Sequence, residues 1–318
     1  MANLLISVQQ VAILFVMMGV GFALRRLGLL RAKVIDGLVD LLLLVVTPCQ
    51  IVEAFIRPYD TLAMQGLEWA LVLSVASYLI MIGVACLVVR LHDHNRRGPL
   101  RMAVVFSNAG TLAIPLVNAL FGNEGVFYAA VYMAVQNFFI WTWGYWMMKN
   151  DGTRMCWTES LQILNFRSLV NPGTIGIVLG LPVFMLSLRL PAVIGEPIRQ
   201  IANLNTPLGM IVIGSCLKMP SVSSMLRMPE SLVVAFFRLV GCPVLMILLL
   251  CPFWHRFDRC MALSLVTAAS APVAATVSMF ATKFNHNVGL SAALVSGTTL
   301  VSTLTMPLLI GLAWLLFK

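Results

Sequence analysis

Apolar runs of bilayer-spanning length follow one another along the whole chain, parted by short polar connectors. They fall at residues 5–24, 34–56, 67–89, 102–121, 126–148, 169–188, 200–217, 231–252, 261–281 and 288–316. An α-helix rises ~1.5 Å per residue and the hydrocarbon layer is ~30 Å thick, so each run makes one crossing. The pattern predicts an all-α membrane protein of about ten transmembrane helices, with no room for a soluble domain.

Two of these runs are interrupted. MAVVFSNAGTLAIPLVNALFG, from Met102 to Gly122, carries Asn108, Gly110, Thr111 and Pro115, and MALSLVTAASAPVAATVSMFAT, from Met261 to Thr282, carries small residues, Ser270 among them, leading into Pro272. An unsatisfied backbone group in hydrocarbon costs several kcal/mol, so such breaks are tolerated where the loosened backbone faces protein or a wet cavity. Pro115 cannot donate to the carbonyl one turn earlier, and Gly110 eases the opening of that turn. A half-helix starting near mid-membrane presents free amide donors and the positive end of its dipole, which attract a carboxylate. Two interrupted spans at corresponding places in two halves point to the binding site of a secondary transporter.

The halves can be traced. Thr47-Pro48 in the second run recurs as Thr206-Pro207 in the seventh, and Pro115 and Pro272 lie in the fourth and ninth. The chain divides into residues 1–150 and 151–318, five spans each. An odd number of spans per half makes the second enter the membrane from the opposite side, so the expected architecture is a 5+5 inverted repeat.

Composition excludes several classes. With 60% hydrophobic and 10% charged residues and a mean hydropathy of +0.95, this is not a water-soluble domain. The net charge of +9 does not indicate nucleic acid, because the basic residues form short clusters between apolar runs, such as Arg25, Arg26, Arg31 and Lys33, or Arg90, Arg96, Arg97 and Arg101. With the N-terminus outside, these clusters fall in the cytoplasm and the basic residues favour that side by more than two to one, so both termini are expected outside the cell (inner) membrane. No basic residue precedes the first apolar run, which therefore reads as a span and not a cleaved signal. Seven cysteines without a CxxC pair lie mostly within apolar runs and suggest neither disulfides nor a metal site, and the four histidines fall in loops or at span ends, where they are expected to be solvated. No cofactor is expected. An enzyme is disfavoured, since no histidine lies in a span and GxSxG and HExxH are absent. Trp69, Trp141, Trp143, Trp146, Trp157 and Trp314 read as interfacial anchors.

Polar groups inside apolar runs are expensive and therefore informative. Arg238 costs at least ~2.5 to 3.5 kcal/mol in a span, so it is expected to face the bundle interior or snorkel, in a structural or gating role, with Asp36 or Asp40 as partner. Gln136 and Asn137 place two amides deep in the fifth span, able to clamp helices or to bind a ligand, and Asn137 is a candidate site residue. Gln50 and Glu53 are expected to approach the outer water. No carboxylate sits beside Pro115 or Pro272, so coupling to H⁺ or Na⁺ is left open, backbone carbonyls being the remaining cation ligands.

These residues carry a resemblance. Asn108 followed by Ile114-Pro115-Leu116, Asn171-Pro172, Arg238-Leu-Val-Gly241-Cys-Pro243, and Pro272 leading to Phe280-Ala-Thr-Lys-Phe-Asn285 are similar, in order and placement, to motifs of the auxin efflux carrier family, as is LSAALVSGTTLVSTLTMPL in the tenth span. The resemblance implies a scaffold of spans 1, 2, 6 and 7, a mobile transport unit of the rest, crossing of spans 4 and 9, a homodimer, and elevator-like movement of a small organic anion. It carries over Asn108 as a binding residue and Pro115 and Pro272 as crossing prolines. The expected substrate contacts are Asn108, Gly110, Thr111, Pro115, Asn137, Ser270 and Pro272, with Pro48 and Pro207 on the scaffold side. Ala113 stands where the family has a glycine, and the long cytoplasmic loop of the plant carriers is absent, which points to the bacterial branch and to malonate-like carboxylates in place of auxin. A transporter-shaped sensor that binds without moving its ligand is the alternative.

Overall fold

The structure, a computed structural model, describes residues 13, 16–91, 93–149, 172–216 and 228–317. The start of the first run, the Asn171 of the sixth-span motif, Trp157 and His92 lie outside the described residues. What is described is built of helices: α1 (16–26), α2 (Ala32–Leu41), α3 (Thr47–Phe55), α4 (Thr61–Val88), α5 (His94–Val105), α6 (Ile114–Phe139), α7 (Tyr145–Lys149), α8 (Pro172–Met185), α9 (Ala192–Ala202), α10 (Asn205–Cys216), α11 (Pro229–Phe236), α12 (Cys242–Leu250), α13 (Arg259–Ala269), α14 (Ala275–Lys283) and α15 (Val288–Leu316).

The scarce polar residues of the connectors start these helices. Asp60 accepts from the Leu62 and Ala63 amides at 3.2 and 3.3 Å, Asp93 from Asn95 at 3.0 Å, Asp258 from Cys260 at 2.8 Å and Asn287 from Leu290 at 2.9 Å. Each satisfies an amide that has no partner within its own helix. The Asp60 cap begins α4 at Thr61, earlier than the apolar run starting at 67 predicts.

Among the described residues, four helical stretches are long and apolar enough to cross a bilayer: Lys33–Phe55, Thr61–Val88, Pro229–Phe253 and Val288–Leu316. The other expected spans are shorter or divided. The seventh run, expected at 200–217, is split by a turn at 203–204 into α9 and α10. Gly122, with φ +63° and ψ −157°, turns the chain inside α6 and separates the fourth run from the fifth. That φ is costly for any residue with a Cβ. Large apolar side chains remain exposed along one stripe of α15, Leu304 at 70%, Leu308 at 72% and Leu315 at 64%, as a helix face against lipid requires.

Three prolines inside apolar runs are absorbed without a break. Wide π-type turns at Leu42–Val46, Ala109–Ala113 and Phe237–Gly241 each run directly into a helix with proline at its second position, Pro48, Pro115 and Pro243. A proline ring clashes with the carbonyl four residues back and offers no N–H, and widening the preceding turn relieves both problems.

The packing divides into neighbourhoods. α3 packs on α8 and α9, and α10 on α2, while α13 and α4 pack on α6, α5 on α4 and α15, and α12 on α4 and α13. α6 also touches α3, α8 and α10 and so links the two groups. Several tryptophans depart from a purely interfacial role. Trp146 is buried, Trp143 lies 5.9 Å from Phe106 and Trp141 5.3 Å from Phe280 between ring centroids. His286, expected in water, is buried, with Nε2 2.8 Å from the Met148 carbonyl.

Candidate functional site

Both interrupted runs open at mid-length, and the openings meet. α5 ends at Val105, α13 ends at Ala269, and the short extended segments that follow lie antiparallel with Ser107 opposite Val273. Two backbone bonds join them: the Asn108 amide donates to the Pro272 carbonyl at 2.7 Å and the Ala274 amide donates to the Phe106 carbonyl at 3.0 Å. The chain then re-enters helix on each side, through the π-type turn at Ala109–Ala113 and through α14.

In this pairing the inner polar groups of Ser107 and Val273 face away from each other and need other partners. Side chains from α6 and α15 supply them. Gln136 donates through Nε2 to the Ser107 carbonyl at 2.7 Å, while its Oε1 accepts from the Ser107 hydroxyl at 2.5 Å and the Tyr78 hydroxyl at 2.8 Å. The Val273 amide donates to Thr298 Oγ1 at 3.1 Å, and that hydroxyl donates to the Leu294 carbonyl at 2.7 Å. Ser107 and Thr298 are fully buried and Gln136 nearly so, so these bonds replace water that the site excludes.

The polarity of the broken helices is handled at both ends. At the C-terminal ends, Arg238 is fully buried and its guanidinium donates to the Val105 carbonyl at 2.9 Å, to the Val104 carbonyl at 3.5 Å and to the Ala269 carbonyl. Those are the last carbonyls of α5 and α13, the negative ends of two helix dipoles. The expected partners, Asp36 and Asp40, are exposed and form no ion pair with Arg238 among the described residues. A carboxylate would have to be desolvated to reach this place, whereas helix-end carbonyls are already there and lack partners. At the N-terminal ends, the amides of Ala109, Gly110, Thr111, Ala275 and Thr276 find no acceptor among the described residues. Thr111 Oγ1 donates to Asn108 Oδ1, and the Asn108 NH₂ group likewise has no acceptor among the described residues.

The other candidates are placed as follows. Pro272 is at the opening and uses its carbonyl there, whereas Pro115 lies roughly two turns beyond the opening, in the first turn of α6. The two prolines therefore do not occupy corresponding places, because the π-type turn absorbs Pro115 while the break is set by the backbone pairing. Ser270 is buried and its hydroxyl is spent on the Thr267 carbonyl of its own helix at 2.8 Å. Asn137 is half-buried on α6, next to Gln136. Pro48 packs against α8, where a Cβ on Gly176 would lie 3.1 Å from the Pro48 carbonyl oxygen. Pro207 is half-buried at the start of α10 beside Thr206, whose hydroxyl donates to the Pro115 carbonyl at 3.2 Å.

A second polar group extends from that contact. Asn118 Nδ2 donates to Thr206 Oγ1 at 3.2 Å, and Gln50 Nε2 donates to Asn118 Oδ1 at 3.3 Å and to Asn123 Oδ1 at 2.9 Å. Gln50, expected near the outer water, is 1% exposed, and these bonds tie α3 and α10 to α6. Thr206 stood out only in the repeated Thr-Pro pair and Thr298 only within the motif of the last run, and neither pointed to its partner, because a threonine in a helix ordinarily bonds its own preceding turn. Gln136 did give one, an amide deep in an apolar run, but not its partner.

No group of three or more histidine, cysteine or acidic side chains able to hold a metal occurs among the described residues. Among curated proteins none matches the chain. A family model described as "Membrane transport protein" matches residues 6–310, nearly the whole length. The chain is therefore a membrane transport protein and belongs to the auxin efflux carrier family.

Proposed function

We propose that this protein is a secondary transporter of a small organic carboxylate, bound where the interrupted fourth and ninth spans cross. The observation that carries this reading is the paired opening at Ser107 and Val273, next to which both re-entering segments start with amides that have no acceptor among the described residues, Ala109–Thr111 after Asn108 in one and Ala275 and Thr276 in the other. An anion there gains charge-assisted hydrogen bonds and the positive ends of two helix dipoles. Pro272 frames the site through its backbone, and Gly110 leaves room at the turn, where a Cβ would meet Leu43 at 3.3 Å.

Movement follows the elevator scheme in this reading. α1, α2, α3, α8 and α10 form the scaffold and the remaining spans the transport unit, with the two halves arranged as a 5+5 inverted repeat and the scaffold serving a homodimer in the cell membrane. What supports the division is the packing into two neighbourhoods, with α6 as the shared face. Gly209 lies on that face, where an added Cβ would stand 2.8 Å from Pro115 Cγ, so the scaffold approaches the transport unit as closely as atoms permit.

Uptake of radiolabelled mono- and dicarboxylates into proteoliposomes tests the reading. Asn108→Ala removes one charge-assisted donor, worth about 1.5 to 3 kcal/mol, so apparent affinity should fall roughly tenfold to a hundredfold while the thermal midpoint stays within a few degrees of wild type. Uptake by the variant at the wild-type KM would remove Asn108 from the site, and wild-type liposomes inert to every carboxylate would refute the substrate class.

A further inference from the structure

Cation-coupled carriers with broken helices hold their ion at the C-terminal ends of half-helices and on unwound carbonyls. Here that place is filled by the protein itself. The Arg238 guanidinium spans the last carbonyls of both α5 and α13, fully buried, on a π-type turn that brings its side chain to the opening. Tyr78, Tyr132 and Cys242 lie around it and no carboxylate does among the described residues, so its charge is balanced by the two helix ends.

We propose that Arg238 is a tethered cation standing where a coupling ion would otherwise bind, so that the carrier moves its cargo without sodium. This rests on the transport reading above and extends it. The arginine is a positioning residue: it keeps the two C-terminal ends together, and with them the paired segments that carry Asn108, without touching the cargo. A bound sodium would have to displace a covalently attached guanidinium from the same carbonyls, and its effective concentration there is far higher than that of any free ion.

Three measurements test this. Wild-type uptake should have the same initial rate in sodium and in N-methylglucamine buffers. Arg238→Ala should lose uptake by tenfold or more and regain it with millimolar guanidinium, but not with methylurea, which has a similar planar shape and no charge. Without any cargo, the thermal midpoint of purified Arg238→Ala should rise with guanidinium and not with methylurea, while wild type responds to neither. Where Arg238→Ala does not accumulate, Arg238→Lys and Arg238→Gln carry the same comparison, with lysine retaining uptake and glutamine losing it. A sodium requirement in wild type, wild-type rates in Arg238→Gln, or equal responses to guanidinium and methylurea would each overturn the proposal. If wild-type liposomes take up no carboxylate in any buffer, the substrate reading fails, and the thermal comparison alone decides the role of Arg238.

Discussion

Replacing Gln136 with leucine isolates the bonds that hold the opening at Ser107. The side chain is 4% exposed and serves three polar groups: the Ser107 carbonyl at 2.7 Å, the Ser107 hydroxyl at 2.5 Å and the Tyr78 hydroxyl at 2.8 Å. Leucine nearly conserves volume, so cavity formation adds little and the loss is electrostatic. Hydrogen bonds between membrane helices average ~0.6 kcal/mol each, which sets a floor near 2 kcal/mol for three. A buried group left without a partner costs about 1–3 kcal/mol, which raises the figure for the carbonyl, while the two hydroxyls can rotate toward other acceptors. The expected destabilisation is about 2 to 5 kcal/mol.

Tyr78→Phe is the control, since it removes one of the three bonds and leaves Gln136 on Ser107; it should cost no more than about 1 kcal/mol. Reversible unfolding in mixed micelles with increasing sodium dodecyl sulfate, followed by far-ultraviolet circular dichroism, measures both. Hydrogen exchange localises the effect: the Asn108 and Ala274 amides, which bond across the opening, should exchange faster in Gln136→Leu and keep their protection in Tyr78→Phe. If Gln136→Leu costs no more than Tyr78→Phe, the clamp is not what holds the segment, and the reasoning from buried polar groups fails here.

Other substitutions probe the same design from different sides. Thr298→Val leaves the Val273 amide without its acceptor and should cost about 1–2 kcal/mol in the same titration, with Thr298→Ser close to wild type. Gly209→Val places a side chain where even a Cβ comes within 2.8 Å of Pro115 Cγ, so initial uptake rates should fall by roughly tenfold or more while the proposed transport unit keeps its own packing, read as unchanged protection of the Asn108 amide.

Much of this architecture was legible in the sequence because lipid simplifies the code. Apolar length placed the last run at 288–316, and α15 runs Val288–Leu316. An amide or a charge in hydrocarbon is too costly to be incidental, so Asn108, Gln136 and Arg238 stood out before any contact was known. What the residues could not show was the partner. Proline suggested a break at Pro115, yet the chain absorbs that proline with a wider turn and opens at Phe106–Asn108, where nothing local forbids a helix. That opening exists because a segment from the other half of the chain supplies two backbone bonds, a tertiary effect with no neighbouring signal. Likewise Arg238 was expected to seek a carboxylate. The carbonyls at helix ends carry no sequence identity at all, so a reading based on side chains overlooks the acceptors that the fold itself creates.

Breaking a helix makes two poles, and the preference for one sign of charge depends on what happens to the other. If the C-terminal ends of α5 and α13 stood bare beside the opening, their negative field would oppose the pull of the amides at Ala109 and Ala275, and the opening would present little net field. A buried guanidinium across those carbonyls offsets the two negative ends and so removes the opposition. With no carboxylate paired to it among the described residues, that charge stays on the two C-terminal ends, and the amides act unopposed in a medium that screens weakly. In the proposed reading, anion selectivity is then a property of the whole opening and not of Asn108 alone. Loss of Asn108 should weaken binding of every carboxylate by a similar factor, whereas loss of the charge at Arg238 should reduce the discrimination between a carboxylate and its uncharged amide.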